Sequence, residues 1–518
     1  VNSAARQGTA PTPRLRRERI AAPRDRDGRV DLDACVAALG PVDVLETAAG
    51  QGWSYLVPHT GWRLSDDGHR TRLHHPGGRA QDLGDDPFAA VEQITGWLGA
   101  RPDASGYQQQ AEADAPLLSG GLVGAFSYDL GRRTEQLPLL ARDDRRRAHL
   151  SLRVVEVVCA ISPQREHVEL LATTLPEQLS TQAPPDLRRD QLARWVRGRL
   201  AAAARHRAPV PPQPQPEPQV AWTSLPRHAH LAAVEQLLEA ISAGALFQAN
   251  LAQRLSARWD GDVHALYRAL RTASPAAFGA ALPDAGVASI SPETFLAVDG
   301  AQVRTRPIKG TRPRAGDAAL DAALADDLAT ATKDRAENVM VVDLERNDLG
   351  RVCQPGSVSV PELTRVEAHA TVWHLVSTVT GRLRPETGYG DLLRATFPCG
   401  SITGAPKIAA MSHIERLEPV RRGMYCGAVG FLAPGHARLS VAIRTAVLHA
   451  DGVADHGAGG GIVADSDPQS EHAETLDKAA AFLRAVAALR VAADPHDAPA
   501  TRRSGGPRHP RTPADVGR

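Results

Sequence analysis

The stretch PVPPQPQPEP at residues 209–218 constrains the fold of this chain more than any other segment. Six of its ten residues are proline. Each proline fixes φ and lacks a backbone N–H, so neither a helix nor a central strand can run through it. Regular structure must therefore form on either side, with an extended spacer between. Independent domains joined by a linker satisfy this, and so does one domain carrying an external insertion. The insertion is favoured, because segments on both flanks have the patterns of folded structure. The expected divisions are a disordered basic segment at 1–28, folded structure at 29–202, the spacer at 203–221, a second folded region at 222–492 and a disordered tail at 493–518.

Ahead of the spacer, GGLVGAFSYDLG (120–131) reads as a strand meeting a tight turn, and SLRVVEVVCAIS (151–162) as one strand rich in β-branched residues. DLRRDQLARWVRGRLAAAARHR has helical spacing. Beyond the spacer, HAHLAAVEQLLEAISAG predicts a helix ending at glycine, ALFQANLAQRLSARW a strand, and HALYRALRTA a helix. GVASIS, ETFLAVDG and QVRTRPI predict short antiparallel strands. A helix at 322–338, a strand at MVVDL, a hairpin in RLSVAIRTAVLHADGVADH and a last helix near EHAETLDKAAAFLRAVAALR follow. This order lacks a strict βαβ rhythm and points to an α+β fold.

Sixty basic residues against fifty-nine acidic ones give a net charge of +1, so no global field draws nucleic acid or an anionic membrane. No apolar run is long enough to span a bilayer. The five cysteines form no CxxC pair and suit a reducing compartment. The first residues carry arginines with no following apolar region, and do not read as a secretory signal.

GAGGGIVADSDP (457–468) fails the dinucleotide fingerprint, because Ile462 occupies the last glycine position. GSITGAPK (400–407) has neither the spacing of a P-loop nor a hydroxyl residue after its lysine. Both stretches still suit an anion such as a carboxylate, since glycine lets backbone amides approach closely. Two acidic pairs have helical spacing: Asp334 with Glu337, and Glu471 with Glu474, the latter followed by Lys478. A solvated helix face accounts for either pair alone; face to face they would suit a hard cation such as Mg2+.

The segments GLVGAFSYDLG, ALFQANLAQR, SPETFL, RPIKGTRPR, KDRAENVMVVDLERNDLGRV, HLVSTVTG, FPCGSITGAPKIAAM, YCGAVG, AIRT and GGIVADSDPQSEHAETLDKA, in this order, resemble the chorismate-utilising enzymes, and within them the aminodeoxychorismate-forming branch. The resemblance is strongest over residues 222–485 and extends weakly back to about residue 30. It implies one large fold with orthogonal antiparallel sheets packed against outer helices. It also implies a cytoplasmic enzyme acting on chorismate with ammonia and Mg2+. Glu337 and Glu474 match the metal-binding carboxylates, with Asp334 and Glu471 in support. Tyr425, Arg444 and Lys478 match positions at the substrate carboxylates, as do the turns Gly400–Gly404 and Gly457–Gly461, Gly459 and Gly460 included. Thr311, His374 and Thr403 match pocket-lining positions. Gln248 stands where hydrolytic relatives place a lysine that activates water.

The same resemblance makes Glu293 the acid beside the departing C4 hydroxyl and Lys309 a nucleophile toward C2. Nearby Arg306, Arg312 and Arg314, or a poorly hydrated pocket, would favour the free amine. Anthranilate-forming relatives usually carry alanine at Lys309 and histidine at Asn338, so both residues point to the aminodeoxychorismate branch. Anthranilate synthesis is the nearest alternative activity, and a catalytically inactive regulatory or scaffolding homologue the alternative of another class. Leu45–Thr47 only loosely matches a tryptophan-binding motif, so no tryptophan feedback is inferred. No cysteine has the context of an amidotransferase nucleophile, which implies a separate glutamine amidotransferase subunit as ammonia source.

Overall fold

A computed structural model of the protein describes residues 15–48, 52–102, 115–179, 184–205, 213, 215–369 and 371–492. Half of the proline-rich stretch, the first fourteen residues and the expected tail lie outside these. Two large open sheets form the core, antiparallel except for one parallel edge pair. In the first, the central strands are Val42–Thr47, Phe278–Leu282, Val287–Ser291, Thr445–Leu448, Val453–Ile462 and Gln248–Arg258. In the second, Ile308–Pro313, Val372–Arg382, Gln302–Arg306, Thr294–Asp299, His436–Val441, Ala428–Ala433, Gly121–Phe126 and Leu150–Val155 run side by side. Both sheets thus mix strands from before and after the proline-rich stretch.

The sheets pack on each other. Tyr55, Val158, Ala280 and Val287 of the first share a buried cluster with Val123, Ala125, Val429 and Phe431 of the second. Alternate residues of the same strands face outward onto helices: Val44, Leu56 and Cys159 against Leu32–Leu39, Pro185–Arg205, Val263–Ala273 and Pro468–Ala485. Leu122, Leu150 and Leu152 face Pro87–Trp97, Thr332–Gly350 and Tyr389–Thr396. Strands covered on both faces are buried along their whole length, which explains why 150–161 is rich in apolar residues and why its Arg153 is paired with Asp43 and Asp284.

That run is two strands, not one. Leu150–Val155 belongs to the second sheet and Val157–Ile161 to the first, with Glu156 at the step between them. The chain takes the same step between Ser291 and Thr294, and again between Val441 and Thr445. These last two crossings lie together, because Val441 N–H donates to the Glu293 carbonyl at 3.0 Å and Ile290 N–H to the Arg444 carbonyl at 3.1 Å. Glu293 and Arg444 therefore lie on neighbouring crossings between the sheets.

Other expectations also need correction. Leu15–Ile20, assigned to a disordered segment, is an edge strand on Val168–Thr173, held by backbone pairing and by Arg17 on Glu169 at 2.5 Å. MVVDL lies inside the helix Thr332–Gly350, where the buried Asn338, Val341, Val342, Glu345, Asp348 and Leu349 recur at three- and four-residue spacing. The helix foreseen at 322–338 is two, Ala318–Thr330 and Thr332–Gly350. Gly457–Gly461 is no turn but the middle of the strand Val453–Ile462, paired along its length with Gln248–Arg258. The last helix ends at Ala485, and Ala488–Ala492 is a strand parallel to Gln219–Thr223, which itself begins inside the expected spacer.

Candidate active site

Lys309 sits on the edge strand Ile308–Pro313, whose pairing with Val372–Arg382 slips between Ile308 and Thr311. Such an irregularity re-aims side chains. Gly310 completes it at φ +78, where a side chain would strike Leu328 and Asp334. Lys309 Nζ donates to the Ser401 carbonyl at 3.1 Å. The Ser401 hydroxyl meets the carboxyl of Glu293, which is 4% exposed and has one oxygen, Oε1, without a partner. Burial raises the Glu293 carboxyl above the usual carboxylate range, against the pull of Ser401, Lys309, the Ile308 N–H and Lys478. A carboxyl held in this way can keep a proton to give away.

Gln248 closes the same space. Its side chain is 2% exposed, Oε1 lacks a partner, and Nε2 lies where a side chain on Gly461 would be. A Cβ on Gly461 would also come within 3.6 Å of Lys309 Nζ. Thr311 Oγ1 and His374 Nδ1 are 3.0 Å apart on paired strands. Burial, then His369 and Arg444, push the His374 imidazole down to about 3, so it stays neutral. Arg444 is largely buried, and burial lowers its guanidinium from the ordinary value. No carboxylate among the described residues pairs with it, which leaves it suited to an anionic ligand.

The two acidic pairs meet. Glu337, on Thr332–Gly350, is raised by burial and by the charges of Asp334 and Glu471, while Lys309 and Lys333 draw it down. Lys333 Nζ lies 3.7 Å from Glu471, joining this helix to Pro468–Ala485. Glu471 lies over Gly460 and accepts from Ser466 Oγ at 2.6 Å. Glu474 pairs with Lys478 at 2.7 Å, and Lys478 also donates to the Gly459 carbonyl at 2.9 Å. Burial would raise Glu474, but Lys478, Lys333 and Lys309 together outweigh it and the carboxyl ends below its ordinary value. Asp334 faces Arg312 at 3.3 Å. Among the described residues no cluster of three or more His, Cys, Asp or Glu converges closely enough to hold a metal by itself.

Some assignments come out differently. The Gly400 N–H is taken by Glu345 Oε1 at 2.9 Å, and the Thr403 hydroxyl donates to the Gly400 carbonyl at 3.1 Å, so both hold the turn. Tyr425 stands against Gly457 and Arg422, lining a small cavity with Arg145, Arg254 and Asp455. The three arginines around Lys309 are neutralised one by one: Arg306 by Glu367, Arg312 by Asp327 and Asp334, Arg314 by Asp321. They do not crowd the lysine with unbalanced charge. Asn338 donates to the Leu375 carbonyl at 3.2 Å and accepts from Ser377, tying its helix to the strand that carries His374. A cavity of about 1210 Å³, lined in part by Leu45–Thr47, Trp53 and Phe431, contains none of the candidate catalytic residues. Ser401, Lys333 and Glu345 were not singled out from the sequence. Ser401 lies inside GSITG, and Glu345 two helical turns beyond Glu337, the two signals that could have found them.

The chain belongs to the chorismate binding enzyme family, which it matches over residues 68–484. It is similar to aminodeoxychorismate synthase component 1 of Klebsiella aerogenes, 41% identical over 397 residues, covering 76% of this chain and 81% of that one. It is also similar to anthranilate synthase component 1 of Mycobacterium tuberculosis, 36% identical over 488 residues, covering 89% and 90%. The crystal structure of anthranilate synthase component I from Streptococcus pneumoniae TIGR4 superposes with a TM-score of 0.67 at 30% identity, covering 83% of this chain and 91% of that one. Mixed helices and open antiparallel sheets are common to this group.

Proposed function

We propose that the chain is an aminodeoxychorismate synthase component 1, converting chorismate and ammonia to 4-amino-4-deoxychorismate for 4-aminobenzoate and folate synthesis. The observation that carries this reading is the meeting of Lys309 and Glu293 on the two sides of Ser401. As a free amine, Lys309 attacks C2; the ring double bonds shift and the C4–O bond breaks. Glu293 gives its proton to the departing hydroxyl, which leaves as water. Ammonia then attacks C4, the double bonds shift back and C2–N breaks, freeing Lys309. The new ammonium returns a proton to Glu293. Arg444 and Lys478 hold substrate carboxylates, while Gln248, Thr311 and His374 line the pocket.

The acidic residues suit a hard cation, since Asp334 and Glu471 raise Glu337 by their charge and Glu474 raises Glu471. Glu337 and Glu474 would hold Mg2+ with Asp334 and Glu471 in support, the substrate and water supplying other donors. Bound there, the ion would neutralise a substrate carboxylate.

A separate glutamine amidotransferase subunit supplies the ammonia. The five cysteines of this chain are buried, and burial pushes every one of their thiols up, away from the thiolate a nucleophile needs. The pure chain is expected to use ammonium salts and not glutamine; glutamine-dependent turnover by the chain alone would refute the partner.

Anthranilate synthesis remains the second reading, favoured by the longer span of similarity to the mycobacterial relative. Product analysis by mass spectrometry separates the two. Retained enolpyruvate supports the proposal, and stoichiometric pyruvate with anthranilate overturns it.

A further inference from the structure

Behind the turn that joins Lys309 to Glu293 stands a carboxyl that the proposed reaction does not use. Glu345 is 1% exposed. Its Oε1 accepts from the Gly400 N–H at 2.9 Å and from the Cys399 thiol at 3.3 Å. Cys399 Sγ is in turn 3.3 Å from Ser401 Oγ, and that hydroxyl meets Glu293. Four side chains thus form one buried line: Glu293, Ser401, Cys399, Glu345. A Cβ on Gly400 would lie 3.0 Å from Glu345 Oε1, so glycine is what lets the carboxyl come this close.

We propose that Glu345 is a positioning residue for Glu293, fastening from behind the Cys399–Ser401 turn on which Glu293 and Lys309 meet. The inference rests on the reading of Glu293 as the acid. The charges around Glu345 explain how it acts. On its own helix, Asp348 pairs with Lys407 of the helix Lys407–Leu417 and lies 3.2 Å from Arg351, with Glu135 adding negative charge. Burial raises Asp348 too, but Lys407 and Arg351 draw it back down, whereas Glu345 has no ion-pair partner of its own among the described residues. Burial first, then Asp348, push Glu345 up to about 7, with Lys407 and Cys399 opposing and Glu293 adding to the rise. Charge coupling is reciprocal, so an ionised Glu345 makes Glu293 give up its proton less readily. Neutral Glu345 keeps Glu293 a working acid while still accepting the two hydrogen bonds that hold the turn.

A pH dependence follows. As pH rises through about 7, Glu345 ionises in the wild type. Glu345→Gln keeps the acceptor oxygen and cannot ionise. The ratio of kcat for E345Q to kcat for wild type, measured with saturating chorismate, Mg2+ and ammonium, should lie near one at pH 6. It should depart from that value by about threefold or more at pH 8, because an ionised Glu345 changes both the protonated fraction and the acid strength of Glu293. The ratio cancels the titration of ammonia, and a residue that served only to pack the helix would leave it flat. A flat ratio overturns the proposal. Chorismate consumption is the readout, so a chain that makes anthranilate would refute the proposed function without touching this result. Wild-type turnover by Glu293→Gln would remove the acid assignment instead. If E345Q does not fold, infrared spectra of Glu293→Gln still decide. A protonated carboxyl band lost near pH 7 supports the inference, and no such band overturns it.

Discussion

The inner wall of the pocket and its mouth are built on opposite terms. Glu293 and Gln248 on the inner wall are almost wholly buried, and each keeps an oxygen without a partner. At the mouth, Glu474 and Lys478 are about half exposed and already bound to one another, as Asp334 is to Arg312. An unmet buried hydrogen bond is costly, and a ligand that satisfies it recovers that cost. An exposed pair is worth little and exchanges partners readily. The inner wall is thus set in advance of any ligand, whereas on the proposed reading the mouth would trade its internal ion pairs for contacts with substrate and metal.

The comparison breaks first at its strongest point. Lys309→Ala and Glu293→Gln should each lower kcat by about 10²–10⁴-fold with ammonia as donor, while circular dichroism stays that of the wild type. Loss of rate alone leaves covalency open, because removing a cation also disturbs binding. Rapid quenching of wild type with chorismate and Mg2+, without ammonia, should yield a substrate-derived adduct that intact-protein mass spectrometry maps to Lys309. Full activity in Lys309→Ala would end its assignment as nucleophile.

The mouth should respond by less and in another parameter. Glu337→Gln and Glu474→Gln are expected to raise the Mg2+ concentration for half-maximal turnover by about 10–100-fold, with part of kcat recovered at high Mg2+. Unchanged Mg2+ titrations in both variants would show that these carboxylates are not ligands. Loss of kcat that no Mg2+ concentration restores would move Glu337 to the inner wall.

How much of this was legible in the sequence follows the same division. Lys309, Glu293 and Gln248 lie in motifs whose order carries the family resemblance, and the fold brings them together around Ser401 and Gly461. Helical spacing foretold the acidic pairs, because i and i+3 share a face. That the pairs meet is a tertiary fact, and Lys333 bridging to Glu471 leaves no mark in either motif. MVVDL misled because five mostly apolar residues look alike in a strand and in a helix buried on one face. GAGGGI misled in the other direction. Glycines usually signal turns, yet here they thin a central strand so that Tyr425, Glu471 and Gln248 can lie directly on it. Crossings between the sheets, at Glu156, Glu293 and Arg444, had no sequence signal beyond a charged residue ending an apolar run.

Two neighbouring glycines on that strand offer the finest test, because each fronts a different side of the pocket. An added Cβ at Gly460 would lie 2.9 Å from Glu471 Oε2, at the mouth. One at Gly461 would lie 2.2 Å from Gln248 Nε2, on the inner wall. Neither glycine has a positive φ, so alanine brings no backbone strain at either site. In Gly460→Ala the Cβ meets only the tip of Glu471, a buried side chain that need give by no more than a few tenths of an ångström. Lower entropy of the unfolded chain, about 0.4–1 kcal/mol, offsets that displacement. The thermal midpoint should hardly change, and the Mg2+ requirement should shift two- to threefold, roughly 0.5 kcal/mol. In Gly461→Ala the obstructed group is a glutamine 2% exposed, with little room to retreat. Overpacking there costs about 1–3 kcal/mol. The thermal midpoint should fall measurably, and kcat by about tenfold, with the Mg2+ requirement unchanged. If Gly460→Ala lowers kcat and Gly461→Ala shifts only the Mg2+ requirement, the inner wall and the mouth have been assigned the wrong way round.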